Sequence, residues 1–474
     1  MRLISFAEHC FVLIRVIRGP VFFDFSTLLC QNLWFFENQD KSRLFFYFCQ
    51  KIISTRNRIS SKCLSLQPMK YLLTPPTEIK GSIILPASKS ISNRALILNA
   101  LSYSDVDIQN LSDCDDTRVM IQALNSDDIL FDVGAAGTSM RFLTAFLSKI
   151  FGEWIITGSE RMKQRPIKLL VDALNSLGAK IEYVEKDGYP PLRIVGSALE
   201  GGAISLDGGI SSQYISALMM VAPTMKNGLK ITLAGKVISK PYIQLTASMM
   251  QEFGVGVQWN DNVINIPPQS YRPIEYTVES DWSAASYWYQ LLLLCGKGEV
   301  FLTGLRKKSA QGDAKIASLF TQLGVKTSYQ KKGVLLTLHG TKTPKLLYNF
   351  VNQPDMAQTF VVTCCMLHVP FRFSGLQSLK IKETDRIAAL ITEMRKVGFV
   401  VREIASGILE WSGERCHTEK TIVIDTYEDH RMAMAFAPIA FKEKISINEP
   451  QVVSKSYPGF WEDLKTVGFN IEEK

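Results

Sequence analysis

One phrase recurs along this 474-residue chain and limits what it can fold into. The stretches "ALNSLGAKIEY", "MMQEFGVGVQW", "LFTQLGVKTSY", "MRKVGFVVREI" and "LKTVGFNIEEK" each end an amphipathic helix on a glycine and resume as a short alternating strand. The glycines are Gly178, Gly254, Gly324, Gly398 and Gly468. Glycine suits the left-handed position after a helix, and apolar–polar alternation marks a half-buried strand. Successive glycines are 76, 70, 74 and 70 residues apart. That is longer than a solenoid repeat of ~20–50 residues, and it fits a unit of several strands and two helices. "IQALNSDDILFDV" reads as a degenerate sixth copy without its glycine. The chain is therefore predicted to be α/β, built from repeated strand–helix units.

Several units open a helix with groups that bind anions. In "LPASKSISNRALILNAL" the apolar side chains Ile91, Ala95, Leu98 and Leu101 have helical spacing, and the first turn holds Lys89, Ser90 and Ser92. A helix start has free backbone N–H groups and the positive end of the dipole. "GAAGTSMRFLTAFL", "GGISSQYISALMM" and "KETDRIAALITEM" repeat the arrangement behind Gly137 and Thr138, Ser211 and Ser212, and Lys382 to Arg386. One serine cap is commonplace, whereas four such starts point to a multiply charged substrate.

Composition narrows the class. Lysine and arginine total 53 against 45 acidic residues, too even a balance to argue for nucleic acid. Residues 1–68 differ from the rest: they hold four of the nine cysteines, a dozen aromatics and no sustained period. Arg15 and Arg18 break their apolar run, and no stretch reaches the ~18 apolar residues of a membrane span. Residues 1–68 are expected to lie outside the fold, as a disordered extension or a translated leader, with Met69 as the functional start. The remaining cysteines show no CxxC spacing and read as reduced core thiols of a cytoplasmic protein. No His, Cys and Asp set has metal-ligand spacing. His430, inside "EDHR", and His368, inside "HVP", are expected to be structural.

"LPASKSISNRALIL", "AAGTSMR", "RMKQRPI", "SSQ", "SKPY", "KETDR" and "EDHRMAMA" occur in the order of the 5-enolpyruvylshikimate-3-phosphate synthase family, which the chain resembles from Met69 to the C-terminus. The resemblance implies two similar domains, each of three repeated strand–helix units (an inside-out α/β barrel), closing at a hinge. The expected boundaries are 69–87 with 281–474 for one domain and 88–280 for the other. It also implies a cofactor-free monomer that joins phosphoenolpyruvate to shikimate 3-phosphate and releases phosphate. By this resemblance Lys89, Gly137, Thr138, Arg165, Gln213 and Lys455 hold the phosphoenolpyruvate phosphate, and Arg386 and Arg431 its carboxylate. Ser90, Arg94, Ser211, Ser212, Gln213, Ser239, Tyr242, Asp355 and Lys382 hold shikimate 3-phosphate. Asp355 and Glu383 match the acid–base carboxylates, with Lys89 assisting, and Asp116 matches a further acidic position. These residue types suit two substrates that each carry a phosphate and a carboxylate.

The sequence departs from the family at Ala135, which stands for an asparagine, at Phe142, which stands for a proline, and at Ser378, which stands for another asparagine. Phe142 is expected to rotate its helix and shift Gly137 and Thr138. The stretch between "DDTRVM" and "AAGT" is short, which suggests a lost strand and helix. A related transferase acting on a UDP-amino sugar shares the fold, but "SKPY", "SSQ" and "KETDR" favour the shikimate enzyme.

Overall fold

The computed structural model describes residues 69–474, and the expectations about residues 1–68 fall outside them. One unit shows the plan. Strand Leu130–Asp132 leads through helix Gly137–Lys149 into strand Gly152–Thr157. Helix Lys168–Ser176 then leads to a hairpin of strands Lys180–Tyr183 and Leu192–Gly196. The first two strands pair in parallel, as a helical crossover allows, and the remaining pairs are antiparallel. Across the sheet the order is first, second, fourth, third, and four further four-stranded sheets repeat it.

The five glycines found in the sequence sit at the same junction of each unit. Their φ values are +101° at Gly178, +86° at Gly254, +118° at Gly324, +88° at Gly398 and +98° at Gly468. A side chain there would be strained, so glycine lets the helix end turn back into the hairpin. At Gly398 space also forbids a side chain, because a Cβ would lie 2.5 Å from Thr418 Oγ1.

Two of the five complete units are assembled from distant sequence. Strand Ile79–Ile83 pairs in parallel with Gly298–Thr303, so everything from Ile84 to Asp281 is inserted between that strand and its helix, Trp282–Cys295. Strand Lys70–Thr74 takes the fourth-strand place in the C-terminal sheet, between Ile445–Asn448 and Asn470–Glu473. The buried apolar side chains accordingly form two clusters. One draws on Leu73 to Leu85 and Trp282 to Phe469, the other on Ala87 to Val278. We refer to the parts around them as lobe one and lobe two.

The sixth unit corrects the sequence reading. Both its helices are present, Lys89–Leu101 and Asp115–Asn125, and Gln109 bridges in parallel to Thr277 as a residual pair of first and second strands. The hairpin is what is missing. After the second helix, Ser126 takes an extended backbone (φ −102°, ψ 142°) instead of the left-handed turn. The chain then runs on into Leu130–Asp132, which is the first strand of the next unit. So two strands were lost, not a strand and a helix, and "IQALNSDDILFDV" is not a sixth copy of the helix–glycine–strand junction.

Among the described residues no helix is long and apolar enough to cross a membrane. No group of three or more His, Cys, Asp and Glu could hold a metal ion there. Cys114, Cys364 and Cys365 are buried, Cys295 and Cys416 half-buried, and all five are free thiols.

Candidate functional site

The seven residues Lys89, Asp355, Lys382, Glu383, Arg386, Arg431 and Lys455 form one connected network. Arg386 begins helix Arg386–Lys396, with Asp385 as its cap accepting from Ile387 N and Ala388 N. It is 1% exposed. Its Nη1 donates to Asp355 Oδ1 at 2.8 Å, Nη2 to Glu383 Oε2 at 2.9 Å and Nε to Asp429 Oδ2 at 2.6 Å. Arg431 Nη2 lies 3.6 Å from Asp355 Oδ2, and Lys382 Nζ 3.5 Å from Asp355 Oδ1. Lys455 Nζ lies 3.6 Å from Glu383 Oε1. Lys89 reaches across from lobe two, donating to the Lys455 carbonyl at 3.4 Å and pairing with Asp116 at 3.6 Å.

Burial opposes the charge of Lys89, Asp355, Glu383, Arg386 and Arg431, and the neighbours decide the outcome. Burial alone would raise the carboxyl of Asp355, but Lys382, Arg431 and Arg386 together hold it far below the carboxylate range. For Glu383 the same contest is won by Arg386, Lys455 and Arg165, and its carboxyl is held well below the usual value. Burial would lower Lys89, yet Asp116, Cys114 and Glu383 outweigh it and raise its pKa. Both carboxyls are thus ionised and the lysine is charged.

The second group lies on lobe two. Gln213 Nε2 donates to Thr138 Oγ1 at 3.0 Å, which ties helix Ser212–Val221 to helix Gly137–Lys149. Gly137 stands where a Cβ would come within 2.7 Å of Arg141 Nη1 and 2.8 Å of Arg165 Nη1. Arg94 is 2% exposed and has neutral partners only: Thr246 Oγ1 at 2.7 Å, Ser216 Oγ at 3.1 Å, the Ser90 carbonyl at 2.8 Å and the Tyr242 carbonyl at 3.4 Å. Burial lowers Arg94 to about 10, and burial beside Arg165 does the same for Arg141. A buried cation without a carboxylate is costly unless an anion is to be supplied. Phe142, 1% exposed, lies with its ring centroid 5.2 Å from the Arg94 guanidinium. The substitution for proline thus places an aromatic face against that cation. Ser211 is exposed and accepts from Gln213 N as a helix cap, while Ser212 is buried. A small cavity between the lobes is lined by Lys89, Ser90, Asp281, Ser283, Tyr287, Arg431 and Tyr457, among others.

Backbone strain aims several of these groups. Ser239, Tyr427, Glu428 and Glu449 have φ values of 52°, 54°, 55° and 48°. They stand just before the turns that carry Tyr242, Arg431 and Lys455. A non-glycine residue in this region costs about 1–3 kcal/mol and persists where the surroundings hold it.

Three partners were not assigned from sequence. Asp429, the residue before His430, caps helix His430–Phe436 through Arg431 N and also holds Arg386. An aspartate directly ahead of a helix start was the available signal. Asp313 accepts from Ser283 Oγ at 2.5 Å and from Tyr242 Oη at 3.3 Å, and so joins lobe one to lobe two. Arg161 opens the "RMKQRPI" motif that also holds Arg165, and its partners are the backbone carbonyls of Lys382 and Glu383. His430 is buried, and neither ring nitrogen finds a hydrogen-bond partner. His368 lies at the edge of an aromatic group with Phe399 and Trp411.

Burial raises the Asp313 carboxyl to about 6, opposed by the Ser283 hydrogen bond and Arg431. The folded state then holds a proton that the unfolded state, with a carboxyl near 3.9, has released. Stability contributed by this group is full below pH ~4 and is lost as pH rises through 6. Asp313→Asn should remove that fall. The wild-type-minus-variant stability difference, measured by urea unfolding at pH 4.5 and 8, should become less favourable to wild type by about 2–3 kcal/mol.

Comparison with known proteins agrees with this geometry. Residues 73–126 and 124–464 match the model of the family EPSP synthase (3-phosphoshikimate 1-carboxyvinyltransferase). The two segments meet where the sixth unit lacks its hairpin. A 3-phosphoshikimate 1-carboxyvinyltransferase of Bacteroides fragilis is 57% identical over 406 residues, covering 85% of this chain and 99% of that protein. One of Vibrio campbellii is 37% identical over 426 residues, covering 83% and 98%. An EPSP synthase structure from Acinetobacter baumannii superposes with a TM-score of 0.69 at 20% identity, covering 86% of this chain and all of the other. With its sheets, its two cores and its family motifs in place, the chain belongs to the EPSP synthase family.

Proposed function

We propose that this chain transfers the enolpyruvyl group of phosphoenolpyruvate to the 5-hydroxyl of shikimate 3-phosphate and releases phosphate. The observation that carries the reading is the buried cation set between the lobes, with Asp355 and Glu383 embedded in it. Lobe one, 69–87 with 281–474, and lobe two, 88–280, close over the substrates. Lys89, Arg165 and Lys455 with Gly137, Thr138 and Gln213 receive the phosphate of phosphoenolpyruvate, and Arg386 and Arg431 its carboxylate. Ser90, Arg94, Ser211, Ser212, Gln213, Ser239, Tyr242 and Lys382 receive shikimate 3-phosphate. The protein works in the cytoplasm as a monomer without a cofactor, and its free thiols fit a reducing compartment.

Asp355 takes the proton of the attacking hydroxyl as the oxygen bonds to the enol carbon. Glu383 delivers a proton to the methylene carbon, making it a methyl group. Glu383 is ionised while its cations are unopposed, and the incoming phosphate and carboxylate neutralise them. That restores the affinity of Glu383 for a proton, which it takes up from water as the substrates bind and then gives to the methylene carbon. The methyl group then returns its proton to Glu383 as the C–O bond to phosphate breaks, which regenerates the double bond in the product, and the proton held by Asp355 passes to the leaving phosphate. Lys89 balances the charge building on the phosphate oxygen.

The test is phosphate release by the full chain with both substrates. Steady turnover that needs both supports the reading, and release without shikimate 3-phosphate, or none, overturns it. Gly137→Ala should keep the fold and raise the phosphoenolpyruvate KM about tenfold or more, because the methyl displaces Arg141 or Arg165. One lost charge-assisted hydrogen bond costs about 1.5–3 kcal/mol. An unchanged KM would show that Gly137 is not beside the phosphate.

A further inference from the structure

The turn that carries Arg165 also carries a second arginine, Arg161, with partners of its own. Met162–Gln164 form a short 3₁₀ turn with Arg161 at its start and Arg165 at its end. Arg161 Nε donates to the Glu383 carbonyl at 3.1 Å, and Nη2 to the neighbouring Lys382 carbonyl at 3.2 Å. Arg161 is on lobe two and the two carbonyls are on lobe one. The held segment lies between the 3₁₀ helix Gln377–Ile381 and helix Arg386–Lys396. Among the described residues the amides of Glu383 and Thr384 make no backbone hydrogen bond, so the segment's own secondary structure does not fix it. A planar guanidinium that donates to two consecutive carbonyls fixes both the place and the direction of the peptide.

We propose that Arg161 is a positioning residue that locks the Lys382–Glu383 segment when the lobes meet. The Glu383 carboxyl is thereby set for proton transfer only in the closed enzyme. The proposal rests on the roles assigned above to Glu383 and Arg165. It makes phosphate capture and acid placement one event, since the turn that offers Arg165 to the phosphate also presents Arg161 to the backbone of Glu383. A separate bond across the lobes, Ser454 Oγ to Asp115 Oδ2 at 2.6 Å, shows that closure is not built on Arg161 alone. Losing Arg161 should therefore loosen the segment without unfolding the protein.

The experiment uses the full chain with Arg161→Met and Arg161→Lys. For Arg161→Met the expected results are a thermal midpoint within about 2 °C of wild type and a calorimetric Kd for shikimate 3-phosphate raised by no more than about threefold, since Lys382 alone among its contacts is on the loosened segment. The kcat should fall tenfold or more, and the small-angle scattering contraction on adding both substrates should shrink. Arg161→Lys, with one point charge for the fork, should recover part of kcat. Normal kcat in Arg161→Met overturns the proposal, as does a kcat loss matched by a collapsed thermal midpoint. Glu383→Gln run alongside separates the two readings. If that variant turns over normally, the role of Glu383 fails and the proposal with it. If it is inactive while Arg161→Met is normal, the lock alone fails.

Discussion

Glu383→Gln and Asp355→Asn should each lose about 10²–10⁴-fold in kcat while keeping the wild-type thermal midpoint within a few degrees. Each amide keeps the shape of its carboxyl and removes the proton-carrying function. Arg386 loses one ionic partner in each variant and keeps two, since Asp355, Glu383 and Asp429 all contact it. The two variants should differ in binding. Asp355 also pairs with Lys382 and Arg431, so Asp355→Asn frees two cations and should tighten anionic substrates. Pre-steady-state phosphate release with isothermal titration of phosphoenolpyruvate, in the presence of shikimate 3-phosphate, resolves both effects. Near-normal turnover in either variant removes that residue from the chemistry.

Asp429→Ala should have the largest effect on stability, about 3–5 kcal/mol. The Asp429 side chain is fully buried, and it accepts from Arg386 Nε at 2.6 Å, Arg386 Nη2 at 3.3 Å and Arg431 N at 2.9 Å. Removing it leaves a buried guanidinium short of its nearest anion and a helix start without its cap. Against burial, Asp429 is the leading influence that keeps Arg386 charged, ahead of Glu383 and Asp355. Guanidinium unfolding should show a lower midpoint at an unchanged slope. A loss below 1 kcal/mol would mean that Asp355 and Glu383 already suffice for Arg386.

Much of this was legible because the signals are local. A left-handed glycine after an amphipathic helix leaves its mark on a handful of residues, and all five junctions carry it. The hydroxyl- and cation-bearing helix starts are local in the same way. What stayed hidden depends on contacts between distant segments. Asp313 meets Tyr242 across 71 residues, and Arg161 meets Glu383 across 222. No period or motif in one stretch reports the other end of such a bond. The sixth unit was misread for a related reason. The sequence shows that residues are missing, but pairing partners decide which strands were lost, and Leu130–Asp132 pairs with the next unit. Phe142 was read through its helix alone, whereas its ring lies against Arg94 from another helix.

The threading of lobe one fixes an order of events during synthesis. Lobe two is encoded without interruption and can gather its core while the chain is still being made. The strands Lys70–Thr74 and Ile79–Ile83 emerge ahead of lobe two but must wait for partners made after it. Ile79–Ile83 waits for Gly298–Thr303, and Lys70–Thr74 for Ile445–Asn448 and Asn470–Glu473. The closing loop is long, yet its entropy grows only with the logarithm of length, so the cost falls on time more than on stability. Both strands are unpaired until Gly298–Thr303 emerge, and Lys70–Thr74 stays unpaired and open to other chains until release. A ribosome-stalled chain ending near residue 320, with all of lobe two outside the exit tunnel and Gly298–Thr303 still within it, should therefore carry a protease-resistant lobe two joined to a protease-sensitive N-terminal segment.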